Sequence, residues 1–179
     1  MADPKLLTIS GSLRKGAFNR KLLAEAVRAF GPAEVIEADL NLPLYDGDLE
    51  EAEGVPASVQ ALVEQIKAAD AVVISSPEYN KGISGVLKNA LDWISRVPGS
   101  AFKNKPTVVM SANAGRTGGE TGQYMVLHCL VPHQADVLPG PTLCVATAGD
   151  EFDAEGRLLN ERYLKVLNTR MTALRDRVS

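Results

Sequence analysis

One short stretch near the start of the chain, Gly11-Ser12-Leu13-Arg14-Lys15-Gly16-Ala17-Phe18-Asn19-Arg20, combines the groups that an anion needs. It follows an apolar run, Leu6-Leu7-Thr8-Ile9, and precedes Leu22, Leu23, Ala26, Val27 and Phe30 at helical spacing. That order predicts a strand, a small polar loop and a helix N-terminus. The first N–H groups of a helix have no intrahelical partner, and the helix dipole favours negative charge beside them. Ser10, Ser12 and Asn19 add neutral donors, and Arg14, Lys15 and Arg20 add positive charge. The loop lacks the glycine spacing of a dinucleotide fingerprint and the Lys-Ser/Thr ending of a triphosphate loop. A monophosphate suits it better.

Two further loops carry polar and backbone-permissive residues. Pro77-Glu78-Tyr79-Asn80-Lys81-Gly82 offers a rigid turn, a carboxylate, a phenol and an amide, enough for a flat wall with edge-facing groups. Glu78 has the chemistry of a general base. No histidine, serine–base pair or second carboxylate is its evident partner, so a structural role is expected. In Ala112-Asn113-Ala114-Gly115-Arg116-Thr117-Gly118-Gly119 the glycines permit close approach of a ring and leave backbone donors for an anionic or carbonyl-rich edge. Arg116 suits the phosphates of a second substrate. Arg96, just after Trp93, is the expected charged group at the mouth of the site, where it would orient substrate. Its alternative is a solvent-facing arginine at a helix C-terminus.

The elements that must position these loops alternate along the chain. Strands are expected at Lys5–Ser10, Glu34–Glu37, Ala71–Ser76, Lys105–Ser111 and Pro139–Ala146. Helices are expected at 18–30, 56–69, 85–95, 118–130 and 158–177, with Asp39–Gly54 as a long connection. Ala71-Val72-Val73-Ile74 is apolar without alternation, as in a parallel strand covered on both faces. Strands separated by helices give a doubly wound α/β sheet, since parallel neighbours need crossovers. The chain reads as a single domain over residues 1–179. In such sheets ligands bind beyond the C-terminal strand ends, where all three loops begin.

Composition excludes several classes. A formal charge of −3 gives no general basic field for nucleic acid. The start Met1-Ala2-Asp3-Pro4 has no secretory-signal pattern, and no apolar run is long enough to cross a bilayer. Cys129 and Cys144 are expected as free thiols of a cytoplasmic protein. His128, Cys129 and His133 sit among core-type residues, so no metal site is expected. The acidic run Asp150–Gly156 departs from the calcium-loop pattern and reads as a solvated turn or a subunit contact.

The motifs together resemble the NAD(P)H-dependent FMN reductase and quinone reductase family. The resemblance rests on Gly11-Ser12-Leu13-Arg14 with Asn19-Arg20, on Pro77-Glu78-Tyr79-Asn80 running through Lys88-Asn89-Ala90-Leu91-Asp92-Trp93, and on Gly115 with Gly118-Gly119. It extends over nearly the whole chain and is nearer to bacterial chromate- and ferric-reducing members. It implies a flavodoxin-like three-layer fold with a five-stranded parallel sheet of order 2-1-3-4-5 and noncovalent FMN. Ser10, Ser12, Arg14 and Asn19 would surround the flavin phosphate. Pro77, Glu78, Tyr79 and Asn80 would border the ring, largely through backbone. Ser111, Gly115, Gly118 and Gly119 would lie near its pyrimidine side, with Arg116 toward the nicotinamide cofactor. Relatives commonly carry serine where this chain has Ala17. The implied reaction passes hydride from NADH or NADPH to the flavin, and electrons onward to quinones, azo compounds, ferric complexes or chromate. A homodimer or homotetramer is implied as well. An FMN-binding electron shuttle or regulatory module is the alternative of a different class.

Overall fold

The computed structural model describes residues 3–178. In chain order the elements are β1 (Lys5–Ser10), α1 (Phe18–Phe30), β2 (Glu34–Glu37), α2 (Gly47–Glu53), α3 (Ala57–Ala68), β3 (Ala71–Ser75), β4 (Glu78–Tyr79), β5 (Gly82–Ile83), α4 (Gly85–Arg96), β6 (Pro106–Ala112), α5 (Glu120–Leu130), β7 (Asp136–Val137), β8 (Cys144–Val145) and α6 (Glu161–Asp176).

The central sheet runs β2-β1-β3-β6, and both β7 and β8 pair with β6 at the fifth position. All of these pairings are parallel. The flavodoxin-like order 2-1-3-4-5 is therefore present, with its fifth strand split in two. The continuous strand expected over Pro139–Ala146 is corrected to β7 and β8 flanking an unpaired stretch. Pro139 and Pro141 have no N–H to give to a ladder, so the chain leaves β6 there and returns at Leu143.

Side-chain alternation sorts the strands between two cores. Leu6, Ala71, Val73, Val108 and Met110 face the core closed by α1 and α6. Leu7, Ile9, Val72, Ile74 and Val109 face the one closed by α3, α4 and α5. Every residue of β3 is buried, as its uninterrupted apolar run requires. Each fully buried valine or isoleucine contributes roughly 1.5–3 kcal/mol.

The connection expected over Asp39–Gly54 contains a helix. Asp46 caps α2 by accepting the Asp48 N–H at 2.9 Å. Pro43 and Tyr45 then dock on α4: the Trp93 indole donates to the Pro43 carbonyl at 2.8 Å, and the Tyr45 ring meets Trp93 edge-on. Trp93 is thus an anchor within the protein. The ends of two other helices move inward, to Glu120 for α5 and Glu161 for α6. No helix among the described residues is long and apolar enough to cross a membrane.

Candidate active site at the carboxyl edge of the sheet

The three polar loops meet beyond β1, β3 and β6. The Gly11 N–H donates to the Ser75 carbonyl at 2.8 Å, so the first loop leaves β1 pressed against the end of β3. A Cβ at Gly11 would stand 2.6 Å from the Ser76 hydroxyl oxygen, which explains the glycine. The Glu78 N–H donates to Asn113 Oδ1 at 3.0 Å, tying the second loop to the third. Asn113 Nδ2 reaches back to the Gly118 carbonyl at 3.3 Å.

The first loop is an anion cradle in its donor chemistry. The cap position of α1 is Ala17, which supplies no side-chain bond, and the first turn contains no acid. Among the described residues, no protein acceptor takes the N–H groups of Leu13, Lys15, Gly16, Phe18 or Asn19. The Ser12 hydroxyl accepts the Arg14 N–H at 3.3 Å and keeps its own proton. Arg14 and Lys15 are exposed beside it. Ser10 is turned inward: its hydroxyl donates to the Ser12 carbonyl at 3.0 Å and shapes the loop. Arg20 leans toward Glu37, 4.0 Å away.

Asn19 plays a different part from the one expected of it. Its Oδ1 accepts the Ser75 hydroxyl and the Ala112 N–H, and its Nδ2 donates to the Ala112 carbonyl. The carboxamide is buried under the loop and engaged by protein, so it positions the cradle from below.

The second loop is a hairpin. β4 and β5 pair antiparallel, and Asn80 and Lys81 between them have φ of 51° and 65°. Positive φ at both central positions matches the right-handed strand twist. Pro77 is buried at the base and Tyr79 is 57% exposed at the tip. The Glu78 side chain ties the hairpin to α5: Oε2 accepts the Gly122 N–H at 2.8 Å in the first turn of that helix, and Lys81 lies 3.4 Å away. Gly122 has to be glycine, because a Cβ there would come 2.9 Å from Glu78 Cβ.

The third loop divides into a buried base and an open rim. The Ser111 hydroxyl, fully buried, donates to the Gly118 carbonyl at 2.7 Å. Gly118 and Gly119 have φ of 64° and 91°, and a Cβ on Gly118 would stand 2.5 Å from the Cys144 carbonyl. These three residues shape the turn. Gly115 and Arg116 are exposed at the rim.

Arg96 does not join the three loops. It lies at the far end of α4, about 16 Å along the axis from the hairpin end at the rise of a helix. Its Nε donates to both Glu50 carboxylate oxygens, at 2.8 and 3.1 Å. Tyr45 gives the same carboxylate its hydroxyl proton at 3.1 Å, and that bond holds the phenol above its ordinary pKa. The expected charge at the site's mouth is, within one chain, half of an ion pair that closes α2 onto α4. Asn113, which joins the second loop to the third, carried no assigned role in the sequence. An asparagine at a strand end followed by closely spaced glycines is the signal that pointed to it.

Comparison with known proteins agrees with this geometry. The family model for NADPH-dependent FMN reductases matches residues 4–150. An NAD(P)H-dependent FMN reductase of Pseudomonas aeruginosa is 42% identical over 174 residues, which cover 96% of this chain and 94% of that protein. A quinone reductase of Escherichia coli is 37% identical, covering 94% and 92% of the two chains. The flavoenzyme NAD(P)H:(acceptor) oxidoreductase FerB of Paracoccus denitrificans superposes with a TM-score of 0.86 at 29% identity, over 98% of this chain and 97% of that one. With the family model matching residues 4–150 and a relative 42% identical over 96% of its length, the chain belongs to the NADPH-dependent FMN reductase family.

Proposed function

We propose that the protein is an FMN-dependent oxidoreductase that draws on NADH or NADPH and reduces small acceptors of the quinone class. Ferric complexes, chromate and azo compounds form the wider acceptor range. The carrying observation is the set of unclaimed N–H groups at the start of α1, opening onto the sheet edge where the other two loops converge. That donor set fits a phosphate monoester, and its length along the loop leaves the hairpin and the Gly115 rim to border a ring. When bound, FMN supplies the two-electron chemistry that no side chain here provides.

The chain's own residues bind and orient. Ser12 and the loop amides hold the phosphate, while Arg14 and Lys15 offset its charge. Ser10 and Asn19 keep the cradle in shape. Pro77 to Asn80 form one border of the ring site, and the Ser111–Gly119 turn forms the other. Arg116 on that rim attracts the phosphates of the nicotinamide cofactor. Exposed Tyr79 shields the reacting face from water. Self-association into a dimer or tetramer, and a cytoplasmic setting, belong to the same reading.

Reconstitution tests it. Protein incubated with FMN and desalted is expected to retain the flavin, and Ser12→Ala with Arg14→Ala to lose most of it. Failure of the unaltered protein to retain flavin would contradict the proposal.

A further inference from the structure

The split fifth strand leaves a cavity of about 530 Å³ at the sheet edge, between α5 on one face and α6 on the other. That volume is in the range of small-molecule sites. Its walls include Leu127, Leu130, Val137 and Leu138.

Two kinds of unsatisfied group border it. Peptide groups along a parallel strand alternate between its two neighbours. In β6 the Met110 carbonyl accepts from Ser76, toward β3, whereas the Thr107 carbonyl accepts from Leu138 and the Ser111 N–H donates to Leu143. Val109 therefore turns its N–H and carbonyl to the fifth position, at the level of Pro139–Thr142. None of those residues bonds to it among the described residues. The second group is Arg170 of α6, only 8% exposed. Its Nη1 has one long contact, 3.4 Å, with the Pro141 carbonyl, and its Nε has no partner. No carboxylate forms an ion pair with it among the described residues, and burial alone holds its pKa below the ordinary arginine value. Asp136 borders the same cavity but is paired with Arg177 at 2.9 Å. Gln123 also borders it and donates to the Leu143 carbonyl. Gly140 gives the guanidinium room, since a Cβ there would stand 3.2 Å from Nη1.

A buried cation without a counterion is costly, and a desolvated guanidinium is a strong bidentate donor to a carboxylate. We propose that this cavity binds a small carboxylate with an apolar body, the carboxylate on Arg170 and the body against Leu127 and Leu130. The site stands apart from the three loops and does not depend on what they bind.

Hexanoate is the probe, with 1-hexanol as its uncharged counterpart, titrated into the isotope-labelled, flavin-loaded protein while backbone amide resonances are followed. Saturable shifts at Val109, Leu138 and Gly140 are expected with hexanoate, and binding at least about tenfold weaker with hexanol. Arg170→Met is expected to weaken hexanoate about tenfold or more, and Arg170→Lys to weaken it less. Equal binding of hexanoate and hexanol, shifts confined to residues 12–19, or no saturable shift at low-millimolar hexanoate would each overturn the proposal. If Arg170→Met fails to fold, the comparison of the two probes on the unaltered protein decides it.

Discussion

The Ser75 hydroxyl donates to Asn19 Oδ1 at 2.8 Å, and both side chains are buried. The same oxygen accepts the Ala112 N–H at 3.0 Å. One carboxamide therefore joins the start of α1, where the first loop ends, to the ends of β3 and β6, where the second and third begin. Replacing Asn19 by leucine strands the Ser75 hydroxyl and both main-chain groups of Ala112. A loss of about 3 kcal/mol is expected by chemical denaturation, because each buried polar group left unpaired costs about 1–3 kcal/mol. FMN affinity is expected to fall with it. A loss under about 1 kcal/mol would show that the tie is not structural.

Ala17 leaves α1 without a side-chain cap. Ala17→Ser is expected to raise the stability of the flavin-free protein by about 1 kcal/mol, the usual worth of a serine cap. It is also expected to tighten FMN by adding a hydroxyl to the cradle. Denaturant midpoints and flavin fluorescence titration read the two effects separately.

Glu78 accepts the Gly122 N–H, and a neutral carboxamide oxygen can do the same. Glu78→Gln is therefore expected to keep turnover within about threefold, with an unchanged pH profile, whereas Glu78→Ala frees the hairpin and weakens flavin binding. A collapse of turnover in the glutamine variant, with flavin still bound, would instead assign Glu78 to proton transfer.

His133 gives stability a pH dependence. Burial is the main cause holding its pKa below 6.5, with Asp92 raising it and Lys88 lowering it further. The unfolded chain takes up the proton first, so stability is complete above about pH 6.5 and falls as the pH drops below it. Denaturant midpoints measured between about pH 7 and 5 are expected to decline, and His133→Gln to flatten that decline. An identical slope in the variant would place the effect on other groups.

Much of the fold was legible because β1, β3 and β6 are apolar runs that alternate with helical stripes. The break in the fifth strand was legible only in part. Pro139 and Pro141 forbid a ladder, but β7 and β8 add only two residues each, too few to show a period. α2 carries no apolar stripe, and Glu50 finds its partners, Arg96 and Tyr45, only in the folded chain. Asn19 and Ser10 have the right chemistry for a phosphate, and their residue types gave no sign that their donors are turned to the protein. That backbone donors would stand free at the start of α1, as those of Phe18 and Asn19 do, was readable from the strand–loop–helix order alone. The pairing of Arg96 with Glu50 was not legible, because a helix-end arginine gives no sign of its counterion.

Anaerobic titration of the FMN-reconstituted protein tests the central claim most directly. NADH and NADPH are added separately while the visible flavin band is followed, and a benzoquinone is then admitted. At least one nucleotide is expected to bleach the band, one equivalent per flavin, and the quinone to restore it within the mixing time. Bound flavin that neither nucleotide bleaches would contradict the account and leave the protein an FMN-binding electron shuttle.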